Sequence, residues 1–171
     1  TQLLLYRLSG ESPFTAIFGK LLPQTLVFWL IATLYAVYFY RYLQFPCNSG
    51  IMSMILIGML TVLGAQGLAA FIFGVCGQMR LSMCLCSLWG ILSFSLAGFT
   101  FPVTAMDGVL QKLSVVFPLR HYYLLYVNQA LNGYSIVYAW RSLLAMAVFA
   151  LLPVLTLRHY RSLFLNHKYV P

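Results

Sequence analysis

The stretch "LPQTLVFWLIATLYAVYFYRYL", Leu22 to Leu43, decides the fold. A helix that crosses a bilayer needs about 20 largely apolar residues, because the hydrocarbon core is about 30 Å thick and each helical residue rises about 1.5 Å. This stretch has that length and no carboxylate. It closes on Tyr38, Phe39, Tyr40, Arg41 and Tyr42, an aromatic and basic cluster of the kind found at headgroup level. Pro23 suits a first helical turn, where its missing N–H costs nothing. The "QFPCNSG" that follows predicts a turn.

The rest of the 171 residues agree with a membrane reading: 62% are hydrophobic, 16% aromatic and 7% charged. A water-facing domain carries roughly 25% charged residues, so this chain could not cover such a surface. The formal charge of +8 sets ten Lys and Arg against Glu11 and Asp107. Those cations are scattered singly near the ends of apolar runs, where membrane proteins meet headgroups, which argues against nucleic acid. Cys47, Cys76, Cys84 and Cys86 show no zinc spacing with histidine and read as small apolar residues. The chain starts at Thr1 with no secretory signal pattern, which predicts a segment of a longer protein.

Working outward, spans are expected over about 22–43, 51–76, 81–101 and 140–158, the last kinked by Pro153. In the second, Gly67, Ala70, Gly74 and Gly77 make a small-residue face suited to close helix packing in lipid, and ordinary bundle packing is the simplest use for it. "GQMR" at 77–80 predicts a tight turn into the third span. Four spans put both ends on one side. With the ends cytoplasmic, six Lys and Arg lie inside and four outside, in the sense of the positive-inside rule. Tyr38, Tyr40, Tyr122, Tyr123, Tyr126, Tyr138 and Trp140 then form an outer aromatic belt.

Between the last two spans lies "FPVTAMDGVLQKLSVVFPLRHYY", 101–123, with two prolines, a lysine, an arginine and Asp107. Neither apolar piece is long enough to cross. Residues 102–133 are therefore expected to form a re-entrant helical hairpin or an outer cap. Pro102 and Pro118 break it, Lys112 and Arg120 hold it at the headgroups, and Asp107 caps the helix that follows. Before the first span, residues 1–20 read as an amphipathic interfacial helix. Residues 159–171 form a basic tail outside the membrane. The fold class is all-α integral membrane protein.

No catalytic constellation is visible. Asp107 and Glu11 fall on opposite sides, there is no nucleophile elbow or H-E-x-x-H pair, and "FGK" at 18–20 lacks the spacing of a phosphate-binding loop. Gln66 is the polar residue nearest mid-span, and bonding to a neighbouring helix accounts for it as well as a pathway does.

The order of features resembles the C-terminal part of type-2 ABC transporter permeases, the exporter-type membrane subunits. An amphipathic segment runs into "GKLLP", Gly19 to Pro23; three spans follow, and the third ends in "LAGFTFPVTAMDGVLQKLSVVFPLRHYYLLYVNQALNG". The matching positions are Gly98, Phe99, Phe101, Pro102, Met106, Pro118, Leu119, Arg120, Tyr122 and Gly133. Met106-Asp107 stands where the family usually has Met-Pro. The resemblance implies that residues 1–20 hold the coupling helix, with Arg7, Glu11 and Lys20 facing a separate ABC ATPase. It implies an external gate of Phe101, Pro102, Met106, Asp107, Pro118 and Arg120. It also implies a dimer of permeases or of two related ones in a bacterial inner membrane, with ATP and Mg²⁺ on the ATPase and no cofactor in this chain. The expected activity is outward movement of a lipophilic substrate (a drug, a lipid or a lipid-linked glycan) by alternating access. A periplasmic adaptor would favour drug efflux. The competing reading is a non-transporting anchoring or assembly subunit.

Overall fold

The computed structural model describes residues 13–99 and 101–165, and every regular element among them is helical. Helix α1 (Pro13–Val37) runs into a π-helical turn (Tyr38–Tyr42). Helices α2 (Ile51–Cys76) and α3 (Met79–Leu96) follow. A 3₁₀ turn (Val103–Ala105) leads to two short helices, α4 (Gly108–Ser114) and α5 (Pro118–Tyr126), the second closed by a π-helical turn (Val127–Leu131). Another 3₁₀ turn (Ile136–Ala139) opens α6 (Trp140–Leu165). Among the described residues, four stretches are long and apolar enough to cross a membrane: Phe18–Tyr42, Ile51–Cys76, Met79–Leu96 and Ile136–Thr156.

Local backbone chemistry sets the helix ends. Gly77, at φ 66°, ends α2 in the left-handed conformation and donates its N–H to the Phe73 carbonyl. Helix α3 stops at Leu96 rather than at 101, because the chain turns through Gly98 at φ 101°. Helix α1 is described from Pro13 onward, so Pro23 stands inside it rather than in its first turn, and the carbonyl of Gly19 has no N–H to accept from at that position. No break separates residues 13–20 from the first span; of the helix expected over 1–20, residues 1–12 lie outside the described residues. Helix α6 likewise continues past 158 to Leu165.

Packing is inverted relative to a soluble protein. Large apolar side chains point outward, among them Leu30 at 63% exposure, Ile91 at 66% and Leu151 at 63%. Small and polar residues lie inside, including Ser82, Ser93, Ser114, His121 and Gln129. The buried apolar cluster of Met54, Ile57, Leu125, Ala130 and Met146 joins α2, α5 with its π-turn, and α6 at one end of the bundle. Helices α2 and α6 share the most extensive contact, and α1 lies against α2.

Polar groups within the spans mostly bond locally. The hydroxyls of Thr33 and Thr61 donate to the carbonyls one turn back, Trp29 and Ile57. Thr25 Oγ1 lies 2.7 Å from both the Leu21 carbonyl oxygen and Gln66 Oε1. One hydroxyl proton cannot serve both, and Gln66 Nε2 is buried without a partner. Turning the Gln66 amide over lets Nε2 donate to Thr25 Oγ1 while the hydroxyl donates to Leu21. Either way the side chain bridges α1 and α2.

Candidate functional site

The segment between α3 and α6 forms a helical hairpin tied into the bundle at three places. Its apex is the turn from α4 to α5. There Pro118 occupies the first position of α5, where its ring fits and no N–H is missed. The preceding Phe117 is buried and packs on Trp89 with ring centroids 5.1 Å apart. Trp89 lies seven residues before the end of α3, so the apex packs about 10 Å along that helix from its C-terminal end. On the other side His121 is buried and its ring lies 6.3 Å from that of Phe149, in the second half of the apolar stretch Ile136–Thr156. His121 Nε2 is 2.9 Å from the Val115 carbonyl oxygen, which can only accept, so the proton sits on Nε2 and the bond closes the apex.

The second tie is Arg120. Its guanidinium Nη1 donates to the carbonyl of Ala97, 3.1 Å away, at the C-terminal end of α3. A cation at the negative end of a helix is favourable, and a charge-assisted bond to an otherwise orphaned carbonyl contributes about 1.5–3 kcal/mol. Burial pushes the guanidinium below its usual range and the phenol of Tyr123 pulls it back; an arginine stays charged throughout. Gly98 makes the approach feasible. A Cβ there would lie 2.9 Å from Arg120 Nη1 and 3.3 Å from the Tyr123 ring, on a backbone that already favours glycine. Phe99 completes this side edge-on against Tyr123, with centroids 4.7 Å apart.

The third tie joins the hairpin to the turn between α1 and α2. Asn48 donates its backbone N–H to the Ala130 carbonyl at 3.2 Å and its side-chain Nδ2 to Leu131 at 2.7 Å. Gly133, at φ 64°, lets the two segments touch, since a Cβ there would stand 2.7 Å from Asn48 Cβ. Gln129, buried, donates to the Tyr134 carbonyl at 2.8 Å and closes the exit. Both connections therefore lie at the same end of the bundle, opposite the Gly77–Gln78 turn.

The residues singled out from sequence fall in different places. Arg120 and Pro118 are at the anchored face. Phe101, at 66% exposure, and Pro102 stand exposed where the chain leaves α3. Met106 is half-buried, and its carbonyl accepts from Gln111 Nε2 at 3.0 Å. Asp107 occupies the N-cap position of α4, but its exposed carboxylate makes no capping hydrogen bond; its backbone carbonyl accepts from the N–H of Gln111. Lys20 is exposed on α1. Arg7 and Glu11 lie outside the described residues.

In the small-residue set, Gly67 makes the close crossing with α6: a Cβ would overlap the Phe149 carbonyl oxygen and lie 2.8 Å from Ala150 Cα. Ala70 and Gly74 are buried on the same helix, whereas Gly77 has left it and serves the turn. The sequence reading did not name Gly64, which also faces α6, 3.5 Å from the Met146 carbonyl, nor Asn48, Trp89 and Gln129. The Gly64/Gly67 spacing and the lone Asn after Cys47 were the available signals.

These features define a polytopic helical membrane protein with an anchored hairpin at one end. Among the described residues, no grouping of His, Cys, Asp and Glu could hold a metal ion. The sequence pattern of the family described as "ABC-2 family transporter protein" matches residues 2–157. The chain belongs to that family: it is a membrane permease of an ABC transporter, a class of subunit that works with an ABC ATPase. No curated protein and no solved structure matches it.

Proposed function

We propose that the chain forms part of the transmembrane pathway of an exporter and moves a lipophilic substrate outward by alternating access. The observation that carries this reading is the family match over nearly the whole chain, together with a hairpin fixed to both α3 and α6. Alternating access needs rigid units that rock about bistable interfaces. The tight α2–α6 crossing with the hairpin attached suits such a unit. In this reading the hairpin is re-entrant on the outer side, and Phe101, Pro102 and Met106 shape the outer end of the path. Both chain ends are cytoplasmic. Arg7, Glu11 and Lys20 contact the ATPase, and because α1 is continuous from Pro13 into the first span, a push on residues 13–20 acts directly on that span. A second permease copy or a paralogue completes the pathway in a bacterial inner membrane. A drug, a lipid or a lipid-linked glycan would suit so apolar a path.

The test is reconstitution of the full-length protein with its ATPase in membranes. The expected result is co-purification, stimulated ATP hydrolysis, and loss of stimulation in the Arg7→Ala/Glu11→Ala double variant with assembly intact. A chain that binds an ATPase without altering hydrolysis would be an anchoring subunit instead.

A further inference from the structure

Six buried side-chain polar atoms among the described residues have no partner in the protein, and three of them fall on one seam, where α3 meets the hairpin. They are Nε1 of Trp89, the hydroxyl oxygen of Ser93 and Nδ1 of His121. The other three, on Trp29, Ser49 and Gln66, belong to half-buried side chains. Ser93 and His121 are only 5% and 7% exposed, so their unmet groups are shut inside the fold.

Helix register brings the three to the same stretch. Trp89 and Ser93 stand four residues apart on one face of α3, and Ala97 continues that face by a further turn. At one end of the face Trp89 packs on Phe117; at the other the Ala97 carbonyl accepts from Arg120. Residues 89–97 therefore run alongside the start of α5, in the same direction, and Ser93 lies between the two contacts. His121 follows Phe117 by one turn, as Ser93 follows Trp89. Helical side chains lean toward the N-terminus of their own helix, a lean that parallel helices share. The bond from His121 Nε2 to the Val115 carbonyl draws the imidazole the same way.

The chemistry of the three is ordered. The Trp89 indole only donates, the Ser93 hydroxyl donates and accepts, and His121 Nδ1 only accepts, because its proton is on Nε2. That is the sequence of a hydrogen-bonded chain, yet no two of the three lie within bonding distance. The Phe117–Trp89 ring contact and the Arg120 bond hold the two helices at this spacing. Neighbouring polar side chains are committed elsewhere, Arg120 to Ala97 and Ser114 to the Gln111 carbonyl. Water donates and accepts, and it completes such a chain without moving either helix. Buried waters typically make about 3 hydrogen bonds to groups of this kind.

We infer that the seam is a binding site for resident water, accepting from Trp89, donating to His121 and bonding Ser93 between them. The hairpin then meets α3 through water, whereas it meets α2 and α6 through the apolar cluster around Leu125 and Met146. The site rests on the fold and not on the transport reading, so either can fail alone.

The full-length protein in nanodiscs is given a short X-ray pulse, which makes hydroxyl radicals from water in place, and oxidised residues are mapped by mass spectrometry. Heavy-oxygen water is mixed in immediately before the pulse. Trp89 should be oxidised and carry light oxygen, from water that has not yet exchanged. Trp140, 54% exposed, should carry the heavy isotope, and Met146, fully buried in the apolar cluster, should stay unmodified. Ser93→Ala removes one oxygen that bonds nothing in the protein, and should bring Trp89 down to the level of Met146. An unmodified Trp89 would show a dry seam, and heavy oxygen on Trp89 would show bulk solvent entering as the seam opens; either overturns the site. Undiminished oxidation of Trp89 in Ser93→Ala also overturns it. The first two outcomes are read on the unaltered protein and stand whatever the variant does.

Discussion

Gly67 of α2 lies directly beneath the carbonyl of Phe149 on α6, with no room between them for a side chain. Phe149 is four residues before Pro153, the position whose N–H would ordinarily bond that carbonyl. The oxygen freed by the proline thus meets the bare Cα of the glycine. Cα–H to carbonyl contacts of this sort recur where helix backbones approach closely. Two residues that each weaken an isolated helix fit each other at the tightest crossing of the bundle.

Gly67→Ala should therefore destabilise the chain by about 1–3 kcal/mol, the usual cost of overpacking, although alanine is the better helix former. Gly90→Ala is the matched control, since a Cβ there meets nothing within 4 Å. Thermal unfolding in detergent should show a lower Tm for the first and an unchanged or higher Tm for the second. Equal shifts would falsify the crossing as the cause.

Arg120→Gln should loosen the hairpin without unfolding the spans. The Ala97 carbonyl would lose a charged donor, and lysine would restore the charge but not the rigid fork of the guanidinium. Hydrogen exchange should rise over residues 97–123 while α2 stays protected. Gly98→Ala should give the same pattern, because its Cβ intrudes on Nη1 from a strained backbone.

Asn48 predicts topology as well as stability. In a background freed of the four native cysteines, Asn48→Cys and Tyr134→Cys should react with a membrane-impermeant maleimide from one side. Arg80→Cys, beside the Gly77–Gln78 turn, should react from the other. Asn48→Ala removes the side-chain bond to Leu131 but leaves the backbone bond to Ala130, so its cost should stay near 1 kcal/mol.

The Thr25–Gln66 bridge should count for little despite its depth. Interhelical polar pairs in bundles couple on average by about 0.6 kcal/mol. A double-mutant cycle with Thr25→Val and Gln66→Leu should give a coupling below about 1 kcal/mol in unfolding. Gln66→Leu should also remove the one amide atom that the single bond to Thr25 leaves without a partner in either orientation of the amide. A coupling of several kcal/mol, or a large loss of transport with folding intact, would mark Gln66 as part of the pathway.

The membrane class, the four spans and the break between the last two were legible from residue order. Length and hydropathy suffice for these, because a bilayer demands about 20 apolar residues and tolerates few charges among them. The second span, Ile51–Cys76, falls where the apolar run places it. The helix ends were less legible. Pro23 reads as a first-turn proline until the helix is seen to run through it from Pro13, and the third span reads to 101 until Gly98 is seen at positive φ.

Partners across the fold lay beyond reach of sequence. Nothing in the run "PLRHYY" says that Arg120 finds the end of α3, that His121 turns back on Val115, or that Phe117 finds Trp89. The same holds for Asp107, whose place before α4 was evident but whose carboxylate stays in the open. Hydropathy periodicity records only whether a side chain prefers lipid or protein. Which carbonyl an arginine reaches, and which glycine a proline-freed oxygen meets, depends on how helices far apart in the chain cross. Composition determined that this chain lives in a membrane; the crossing of α2 with α6, and the three ties of the hairpin, were decided only by the tertiary structure.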